Sequence, residues 1–318
     1  MTHSRNELAL VFPGQGSQTL GMLSALAEAY PVVRATFDAA SAAIDLDLWQ
    51  LAQQGPEADL NLTVNTQPAL LAADVAVWRA YQAAGGSEPA CLAGHSLGEY
   101  AALVCADALS LEDATRLVRE RGRLMQAAVP EGAGAMAAVL NADLDLLTRV
   151  CQEASTAGAE VVPANLNAPG QIVISGAASA LARALELLQA HGIKRAIRLP
   201  VSVPSHSPLM RDAATRLGEF LLGIEIRRPR LRVIHNADVG SHTDPADIRA
   251  ALVRQLYAPV RWIETVELMA ASGITTVYEC GPGKVLCGMI KRISPSITAS
   301  SMADPEGLLT AVAGVSHV

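Results

Sequence analysis

The 318-residue sequence lacks an apolar segment long enough to span a membrane. A transmembrane helix needs about 20 nearly uninterrupted apolar residues, whereas the most apolar stretches, Pro68–Val77 and Ala101–Leu109, are each broken by an aspartate. Near the N-terminus, the apolar segment Leu8–Phe12 ends at Pro13 and is too short for the core of a signal peptide. We therefore expect a cytoplasmic protein without a membrane partner.

Aromatic residues and positive charge are also scarce. Phe, Trp and Tyr make up 3% of the chain, and 24 basic against 31 acidic residues give a formal net charge of -7. A nucleic-acid-binding protein usually needs a basic face or aromatic rings on which bases stack, so the composition argues against nucleic acid as a partner. Hydrophobic residues make up 51%, which is enough for a large core.

Motifs of disulfide frameworks, metal sites and nucleotide loops are missing as well. The five cysteines are odd in number and include no C-x-x-C pair, so we interpret them as buried free thiols. A dinucleotide-binding loop would need a third glycine where Thr19 stands, and a P-loop around Gly283 fails at Tyr278 and Val285. We therefore expect neither a metal nor a cofactor.

Strand-like and helix-like segments alternate along most of the chain, which predicts an α/β fold with a mostly parallel sheet. Between residues 131 and 200 the predicted order becomes strand–helix–strand–strand–helix–strand, the ferredoxin-like βαββαβ arrangement. We therefore predict a large subdomain formed by residues 1–130 and 201–318. A small ferredoxin-like subdomain, residues 131–200, is inserted into it.

The segment Gly94–Gly98 matches the G-x-S-x-G pattern of a nucleophile elbow. It follows the apolar segment Ala90–Ala93 and precedes a predicted helix that begins near Leu97. So sharp a turn leaves no space for a Cβ at either glycine, and the helix directs free N–H groups towards an oxyanion. We predict Ser96 as a nucleophile; the alternative is a glycine-rich turn whose serine takes no part in chemistry.

A serine nucleophile needs a neighbouring base, which is most often histidine. Of the seven histidines, His206 lies in an uncharged loop stiffened by two prolines, which suits a base that must stay neutral and fixed. His235 is the second candidate, although its apolar strand is more typical of a histidine satisfied within the core. No acidic residue stands out as a third member of a triad.

Arg121 differs from the other arginines of the predicted helix Leu111–Val129, because its neighbours at helical spacing are apolar. A buried guanidinium needs an anion, since leaving it unpaired is costly. The spacing leaves two alternatives open: a salt bridge to a protein carboxylate, or a bidentate clamp for a substrate carboxylate. The remaining arginines are predicted to lie on a solvated face: Arg116, Arg119 and Arg123.

A tight turn, Gly14–Gly16, follows the first predicted strand at the edge where α/β sheets place their ligands. Gln15 in this turn offers a backbone N–H group as a second donor to an oxyanion. The alternative is a turn without a chemical role.

Together these segments resemble the malonyl-CoA:acyl carrier protein transacylase family of fatty-acid synthesis. The motifs occur in the order typical of the family and cover roughly residues 8–308. They are Val11–Gln18 (VFPGQGSQ), Gly94–Tyr100 (GHSLGEY), Arg119–Gly122 (RERG), Asn165–Gln171 (NLNAPGQ), Val203–His206 (VPSH), Gln255–Val260 (QLYAPV) and Glu279–Lys284 (ECGPGK).

The resemblance implies an α/β-hydrolase-like core and a catalytic Ser–His dyad. Ser96 would be acylated by malonyl-CoA, and His206 would act first as base and then as acid. In the family, the backbone carbonyl at the position of Gln255 orients that histidine, which would explain why no acid stands out.

The resemblance also implies roles for further residues. Arg121 would bind the free malonyl carboxylate. The backbone amides of Gln15 and Leu97 would form the oxyanion hole. Asn165 or Asn167 would contact the substrate or shape the cleft.

The implied reaction is ping-pong transfer of malonyl from CoA to the phosphopantetheine thiol of acyl carrier protein, so malonyl-CoA and that protein are the expected partners. The alternatives are a malonyl-loading subunit of a malonate decarboxylase or polyketide synthase, an α/β-hydrolase esterase or thioesterase, and an interaction module with an inactive site. Because carrier proteins are usually acidic, we expect a basic patch near the cleft, formed by Lys194, Arg195, Lys284, Lys291 and Arg292.

Overall fold

The computed structural model describes residues 7–201 and 203–314, and within them the chain forms nine strands and fourteen α-helices. The strands are β1 (Leu8–Phe12), β2 (Cys91–Gly94), β3 (Gly134–Leu140), β4 (Val161–Ala168), β5 (Gln171–Ala177), β6 (Ala196–Arg198), β7 (Arg232–Ile234), β8 (Thr276–Glu279) and β9 (Thr298–Ser301).

The helices vary from one turn to six turns. They are α1 (Ser24–Ala29), α2 (Pro31–Ile44), α3 (Leu48–Gln54), α4 (Glu57–Leu60), α5 (Thr63–Ala83), α6 (Gly98–Cys105), α7 (Leu111–Ala127), α8 (Leu144–Ala154), α9 (Ala178–Ala190), α10 (Arg211–Leu221), α11 (Pro245–Gln255), α12 (Trp262–Ala271), α13 (Val285–Ile293) and α14 (Pro305–Gly314). A short 3-10 helix, Pro208–Met210, precedes α10. No helix among the described residues is both long and apolar enough to cross a bilayer.

The first sheet is parallel and has the strand order β7-β2-β1-β8-β9. Strand β1 lies at its centre, and successive side chains of β1 enter two different cores because side chains alternate across a sheet. Leu10 and Phe12 join the core that contains α2, α5 and α7, whereas Ala9 and Val11 join the core that contains α12 and α13. Helices therefore cover both faces, as the continuous apolar strands predict.

Strands β1 and β2 end side by side, since Phe12 pairs with Gly94 in their parallel register. The turn that follows β1 and the turn that follows β2 are consequently neighbours at the C-terminal edge of the sheet. This edge is where open α/β sheets place their ligands, and it contains the two segments that the sequence analysis selected.

The second sheet is antiparallel, with the order β4-β5-β3-β6. One face packs against α8 and α9 in a core of its own, which includes Val139, Ile174 and Leu181. The opposite face carries Met136 and Val173 in a small separate cluster. That second face is turned towards the candidate site described below.

The predicted alternation of strands and helices is present, and between residues 131 and 200 the order is β3-α8-β4-β5-α9-β6, as predicted. Helix α5 begins at Thr63, four residues before the helix Gln67–Ala84 that the apolar pattern predicts, and continues through Pro68, a residue that usually marks a boundary. The sequence analysis missed α1, α3, α4, α14 and the edge strand β9. Most of these elements are short, and β9 (TASS) is polar, so they carry little periodic signal.

Candidate active site

The turn between β2 and α6 places Ser96 in the left-handed region, with φ of 53°. The two glycines that flank it leave no space for a side chain. A Cβ at Gly94 would lie 1.8 Å from the carbonyl carbon of Gly98, and one at Gly98 would lie 2.1 Å from the carbonyl oxygen of Phe12. The backbone therefore has the tight geometry of a nucleophile elbow.

Two side chains hold this turn from outside the segment. The Ser96 N–H donates to Oδ1 of Asn236 at 2.7 Å, and the Ser96 carbonyl accepts from Nε2 of Gln255 at 2.8 Å. A left-handed non-glycine residue costs about 1–3 kcal/mol and persists only where its surroundings hold it. These two hydrogen bonds offset part of that cost.

His206 lies next to Ser96, with its Nε2 2.8 Å from the serine Oγ. The other ring nitrogen, Nδ1, donates to the backbone carbonyl of Gln255 at 2.8 Å. Because a carbonyl only accepts, this contact places the ring proton on Nδ1 and leaves the Nε2 lone pair directed at the hydroxyl. The imidazole therefore has the tautomer that a base acting on Ser96 needs.

Burial and the nearby positive charge of Arg121 lower the pKa of His206 to about 3. Both causes disfavour the protonated ring, with burial the larger one. The imidazole is thus neutral at physiological pH. Among the described residues no carboxylate contacts this ring, so the Gln255 carbonyl stands where a triad would have its acid.

Arg121 is 1% exposed and reaches the same serine. One guanidinium nitrogen donates to Oε1 of Gln67 at 2.9 Å, and the other donates to Oε1 of Gln255 at 2.9 Å and to Oγ of Ser96 at 3.2 Å. Its Nε has no hydrogen-bond partner within the described part of the chain, and the guanidinium carbon lies 5.4 Å from the centre of the Tyr100 ring.

No carboxylate within the described part of the chain forms an ion pair with Arg121, so its contacts are all to neutral groups. Of the two alternatives left by the sequence, the structural salt bridge is therefore absent. Burial lowers the pKa of Arg121, but a guanidinium stays charged in proteins. The charge of Glu99 acts on this guanidinium without contact, because the Gln255 amide lies between them. A buried cation that no carboxylate contacts favours an anionic ligand.

The other arginines of α7 are more exposed. Arg116 pairs with Asp113 and Arg123 with Glu120 at the surface. The prediction of a fully solvated face was wrong for Arg119, which is half-buried and donates to a carbonyl at the C-terminal end of α2.

A cavity of about 300 Å³ lies in front of Ser96, between the edge of the parallel sheet and the open face of the antiparallel sheet. Gln15 and Leu97 line it, and neither backbone N–H donates a hydrogen bond to another described residue. These two groups are therefore available to a ligand. Much of the remaining wall is apolar and includes Met125, Met136, Val173, Leu199 and Met289.

Asn165 and Asn167, both on β4, are buried and reach the same cavity. Oδ1 of Asn167 accepts from Nε2 of His95 at 2.8 Å, which ties the antiparallel sheet to the elbow. Asn165 makes no side-chain hydrogen bond to another described residue, so its amide is free to meet a ligand.

Comparison with known proteins agrees with this geometry. A family model for the acyl transferase domain matches residues 9–304. The malonyl CoA-acyl carrier protein transacylase of Escherichia coli K12 is 52% identical over 306 residues, which cover 96% of this chain and 99% of that protein. The chain belongs to the malonyl CoA-acyl carrier protein transacylase family. A more distant relative of the same name, from Bacillus subtilis, is 44% identical over 96% of each chain.

Solved structures of the transacylase family are similar over nearly the whole chain. The malonyl-CoA:acyl carrier protein transacylase of Xanthomonas oryzae pv. oryzae has a TM-score of 0.96 and 55% identity, and 99% of each chain is covered. A malonyl-transacylase in complex with a type II polyketide synthase acyl-carrier protein has a TM-score of 0.95 and 52% identity, with 97% of this chain and 99% of that one covered.

The sequence analysis missed several polar residues that surround the transacylase site. Gln67 holds Arg121, and Asn236 holds the Ser96 turn, yet neither lies in a segment that sequence reasoning selected. Glu99 lies in a selected motif but was given no role. In the sequence, Gln67 is marked only as a polar residue at an apolar position of a buried helix. The contact with Arg121 that explains it is visible only in the tertiary structure.

His235, the second candidate base, lies away from Ser96. It is fully buried, and its Nδ1 donates to Oε1 of Glu99 at 2.7 Å. Among the described residues, no group of three or more His, Cys, Asp or Glu side chains is arranged to hold a metal ion.

Proposed function

We propose that this chain transfers malonyl from CoA to the phosphopantetheine thiol of an acyl carrier protein, in fatty-acid synthesis. The observation that carries the proposal is that two groups, an imidazole and a guanidinium, contact one serine oxygen. The Oγ of Ser96 lies 2.8 Å from the Nε2 of a neutral His206 and 3.2 Å from the guanidinium of Arg121, which no carboxylate among the described residues contacts.

Arg121 selects a substrate with a negative charge near its reacting carbonyl. Malonyl-CoA carries a carboxylate two carbons from its thioester carbonyl. When that carboxylate pairs with the guanidinium, the thioester carbonyl lies within reach of Ser96. A charge-assisted bidentate pair in a buried site is strong and directional, so it also holds the acyl group for both half-reactions.

The first half-reaction acylates the serine. Ser96 Oγ attacks the thioester carbonyl while His206 Nε2 takes the hydroxyl proton. The backbone N–H groups of Gln15 and Leu97 donate to the oxyanion. The tetrahedral intermediate collapses by breaking the carbon–sulfur bond, and His206 returns the proton to the CoA thiolate.

The second half-reaction reverses these roles with a different thiol. The phosphopantetheine thiol gives its proton to His206 and attacks the malonyl ester. The ester bond breaks, and the proton passes to Ser96 Oγ. Water competes with the thiol at this stage, and the apolar walls of the cavity disfavour it.

Asn165 is proposed to meet the substrate through its free amide, and Asn167 to shape the cleft through His95.

The basic patch expected for carrier-protein docking is supported by the exposure of two of its lysines. Lys284, just before helix α13, and Lys291, in its last turn, are exposed, and Leu286 and Met289 of the same helix line the cavity.

An esterase or thioesterase is less well supported, because no acid contacts His206 within the described residues and the relatives are named transacylases. A polyketide synthase carrier protein is a second candidate acceptor. It is favoured by the similarity to a transacylase solved with such a protein. The chemistry at Ser96 would be the same, and only the docking partner would differ.

The proposal also includes a division of the chain into two subdomains. We assign residues 1–130 and 201–318 to an α/β-hydrolase-like subdomain and residues 131–200 to a ferredoxin-like one. The order β4-β5-β3-β6 and the separate core of the second sheet support this division. The cytoplasmic location expected from the sequence stays a prediction.

The decisive experiment is the intact mass of the protein after incubation with malonyl-CoA, beside the variant Ser96→Ala. We expect one malonyl adduct that is absent from the variant, persists without acceptor and disappears when holo acyl carrier protein is added. Absence of an adduct on the unaltered enzyme would refute the nucleophile. Rapid loss of the adduct to water would instead support the thioesterase.

A further inference from the structure

Glu99, on the first turn of α6, is fully buried behind the nucleophile and has no part in the chemistry described above. Its carboxylate accepts three hydrogen bonds: from Nδ1 of His235 at 2.7 Å, from the backbone N–H of Asn236 at 3.0 Å, and from Nε2 of Gln255 at 2.8 Å. An ionised carboxylate only accepts hydrogen bonds. Every group that faces it must therefore present a donor.

This restriction decides which way the amide of Gln255 points. The Gln255 Nε2 faces Glu99 and also donates to the Ser96 carbonyl at 2.8 Å. The other end of the amide, Oε1, accepts from Arg121 at 2.9 Å. The Nε2 end of this amide therefore faces two acceptors, and the Oε1 end faces a guanidinium, which can only donate.

The reversed amide would be unfavourable at both ends. Its oxygen would face the Glu99 carboxylate, where two acceptors repel, and its N–H groups would face the Arg121 guanidinium, where two donors repel. As long as residue 99 carries a carboxylate, one orientation is strongly preferred. Arg121 then has an acceptor that holds its guanidinium against Ser96.

We propose that Glu99 is a positioning residue for malonyl selection, acting through the Gln255 amide on the guanidinium of Arg121. This inference rests on the proposed malonyl transfer. In this role, Glu99 keeps the Arg121 guanidinium oriented towards the substrate carboxylate. Glu99 touches neither the substrate nor Ser96 Oγ, so it is not a catalytic residue.

Glu99 also supports the elbow through Asn236, whose side chain accepts from the Ser96 N–H and donates to the Gly94 carbonyl at 2.6 Å. A purely structural role would therefore disturb Ser96 itself and slow every acylation alike. A positioning role predicts a different outcome, namely a loss confined to substrates that carry a carboxylate.

The variant Glu99→Gln tests this distinction, because it keeps the size of the side chain and removes the obligatory acceptor. Acylation is measured with malonyl-CoA and with p-nitrophenyl acetate, a neutral ester that needs no cation. We expect kcat/KM to fall about 10- to 100-fold for malonyl-CoA and to stay within about threefold for the acetate ester.

Glu279→Gln is the matched control. Glu279 is also fully buried and accepts two hydrogen bonds, from the backbone N–H groups of Leu286 at 3.1 Å and Cys287 at 2.8 Å. It contacts neither Gln255 nor Arg121. We expect this variant to lose thermal stability while the ratio of malonyl to acetate acylation stays unchanged.

A second variant tests the route through the amide. Gln255→Met keeps the backbone carbonyl that orients His206 and removes the side-chain amide. Because this amide also donates to the Ser96 carbonyl, acylation by both substrates should slow, with the larger fall for malonyl-CoA. Adding Glu99→Gln should then cause no further change in the ratio of malonyl to acetate acylation, since residues that act through one another are not additive. If Glu99→Gln does not fold, the ratio of malonyl to acetate acylation in Gln255→Met is decisive: a lower ratio supports the route through the amide, and an unchanged ratio overturns it.

Equal losses on both substrates, no loss on either, or additive effects in the double variant would overturn the role of Glu99. These results leave the proposed function intact, provided that the unaltered enzyme forms its malonyl adduct. Failure of the unaltered enzyme to form that adduct would instead overturn the function. Failure of the role proposed for Glu99 is therefore observed in the variants, whereas failure of the proposed function is observed in the unaltered enzyme.

Discussion

Replacing the buried guanidinium offers the sharpest test of how this site chooses its substrate. The variant Arg121→Gln replaces the guanidinium, which contacts Gln67 and Gln255, with a shorter neutral amide, and so removes the positive charge that lies 3.2 Å from Ser96 Oγ. A substrate carboxylate would then enter a buried site with no cation to meet it.

The magnitude follows from the burial of Arg121 and the absence of an ion-pair partner among the described residues. Truncating one member of a buried, hydrogen-bonded charge pair costs about 2–5 kcal/mol. At about 1.4 kcal/mol per tenfold change, kcat/KM for malonyl-CoA should fall between about 30-fold and several thousand-fold. A neutral ester such as p-nitrophenyl acetate makes no such pair and should lose far less.

The same variant should change the pH dependence of acylation. Burial and the charge of Arg121 both lower the pKa of His206, to about 3 in the unaltered protein. The base therefore stays neutral, and acylation by the neutral ester should be flat between about pH 8 and pH 5. Without the guanidinium the pKa of His206 rises only part of the way, because burial, the larger cause, remains. For the neutral ester, the fall in rate at acid pH should therefore begin at a higher pH in the variant, while the rate near pH 8 is kept.

The assay is burst acylation with both substrates across that pH range. Arg123→Gln is the matched control, since it makes the same change two residues further along α7, at an exposed arginine paired with Glu120. It should alter neither profile. Equal losses on malonyl-CoA and the neutral ester, or malonyl transfer that survives in Arg121→Gln, would refute the reasoning.

Three further outcomes are expected. Gly98→Ala would place a methyl group 2.1 Å from the Phe12 carbonyl oxygen, so it should lower the free energy of unfolding by about 3 kcal/mol or more; a normal thermal midpoint would contradict the packing of the elbow. Burial, and secondarily Glu279, raises the pKa of Asp74 well above its usual value, and both its carboxyl oxygens lack partners among the described residues. A carboxyl group whose pKa is raised in the folded state makes the protein less stable as pH rises above about 4, by up to about 1.4 kcal/mol per pH unit. Asp74→Asn should therefore flatten the decrease in the free energy of unfolding, measured in urea, between about pH 5 and pH 8. Parallel pH profiles for the variant and the unaltered protein would contradict this. Lys291→Glu should slow transfer to the carrier protein and spare loading from malonyl-CoA, whereas equal effects on both halves would reject the basic patch.

Much of the fold could be predicted because its signals are local. The elbow needs two glycines around Ser96, and the clash distances at Gly94 and Gly98 show why no other residue fits. The helix that carries Arg121 begins at a capping serine, Ser110, whose hydroxyl accepts from the N–H of Asp113 at 3.0 Å. Short elements such as β9 carry too few apolar residues to be recognised in the same way.

The site was predictable only in part, because a motif names residues without their partners. Local loop character favoured His206 over His235, and the structure places them at opposite ends of one network. His206 contacts Ser96 Oγ, whereas His235 contacts Glu99. No local pattern distinguishes a histidine beside a hydroxyl from one beside a buried carboxylate.

Residue order alone decided where the chain turns sharply and which helix face is apolar, and it limited the candidates for nucleophile, base and cation to a few side chains. These properties depend on sterics and hydrophobic spacing within a few residues. Arg121 donates to neutral amides, and hydrogen bonds connect it through Gln255 to Glu99. These contacts join residues as far as 156 positions apart. Only packing of the whole chain brings such groups within 3 Å, and the burial that results sets their charge and orientation.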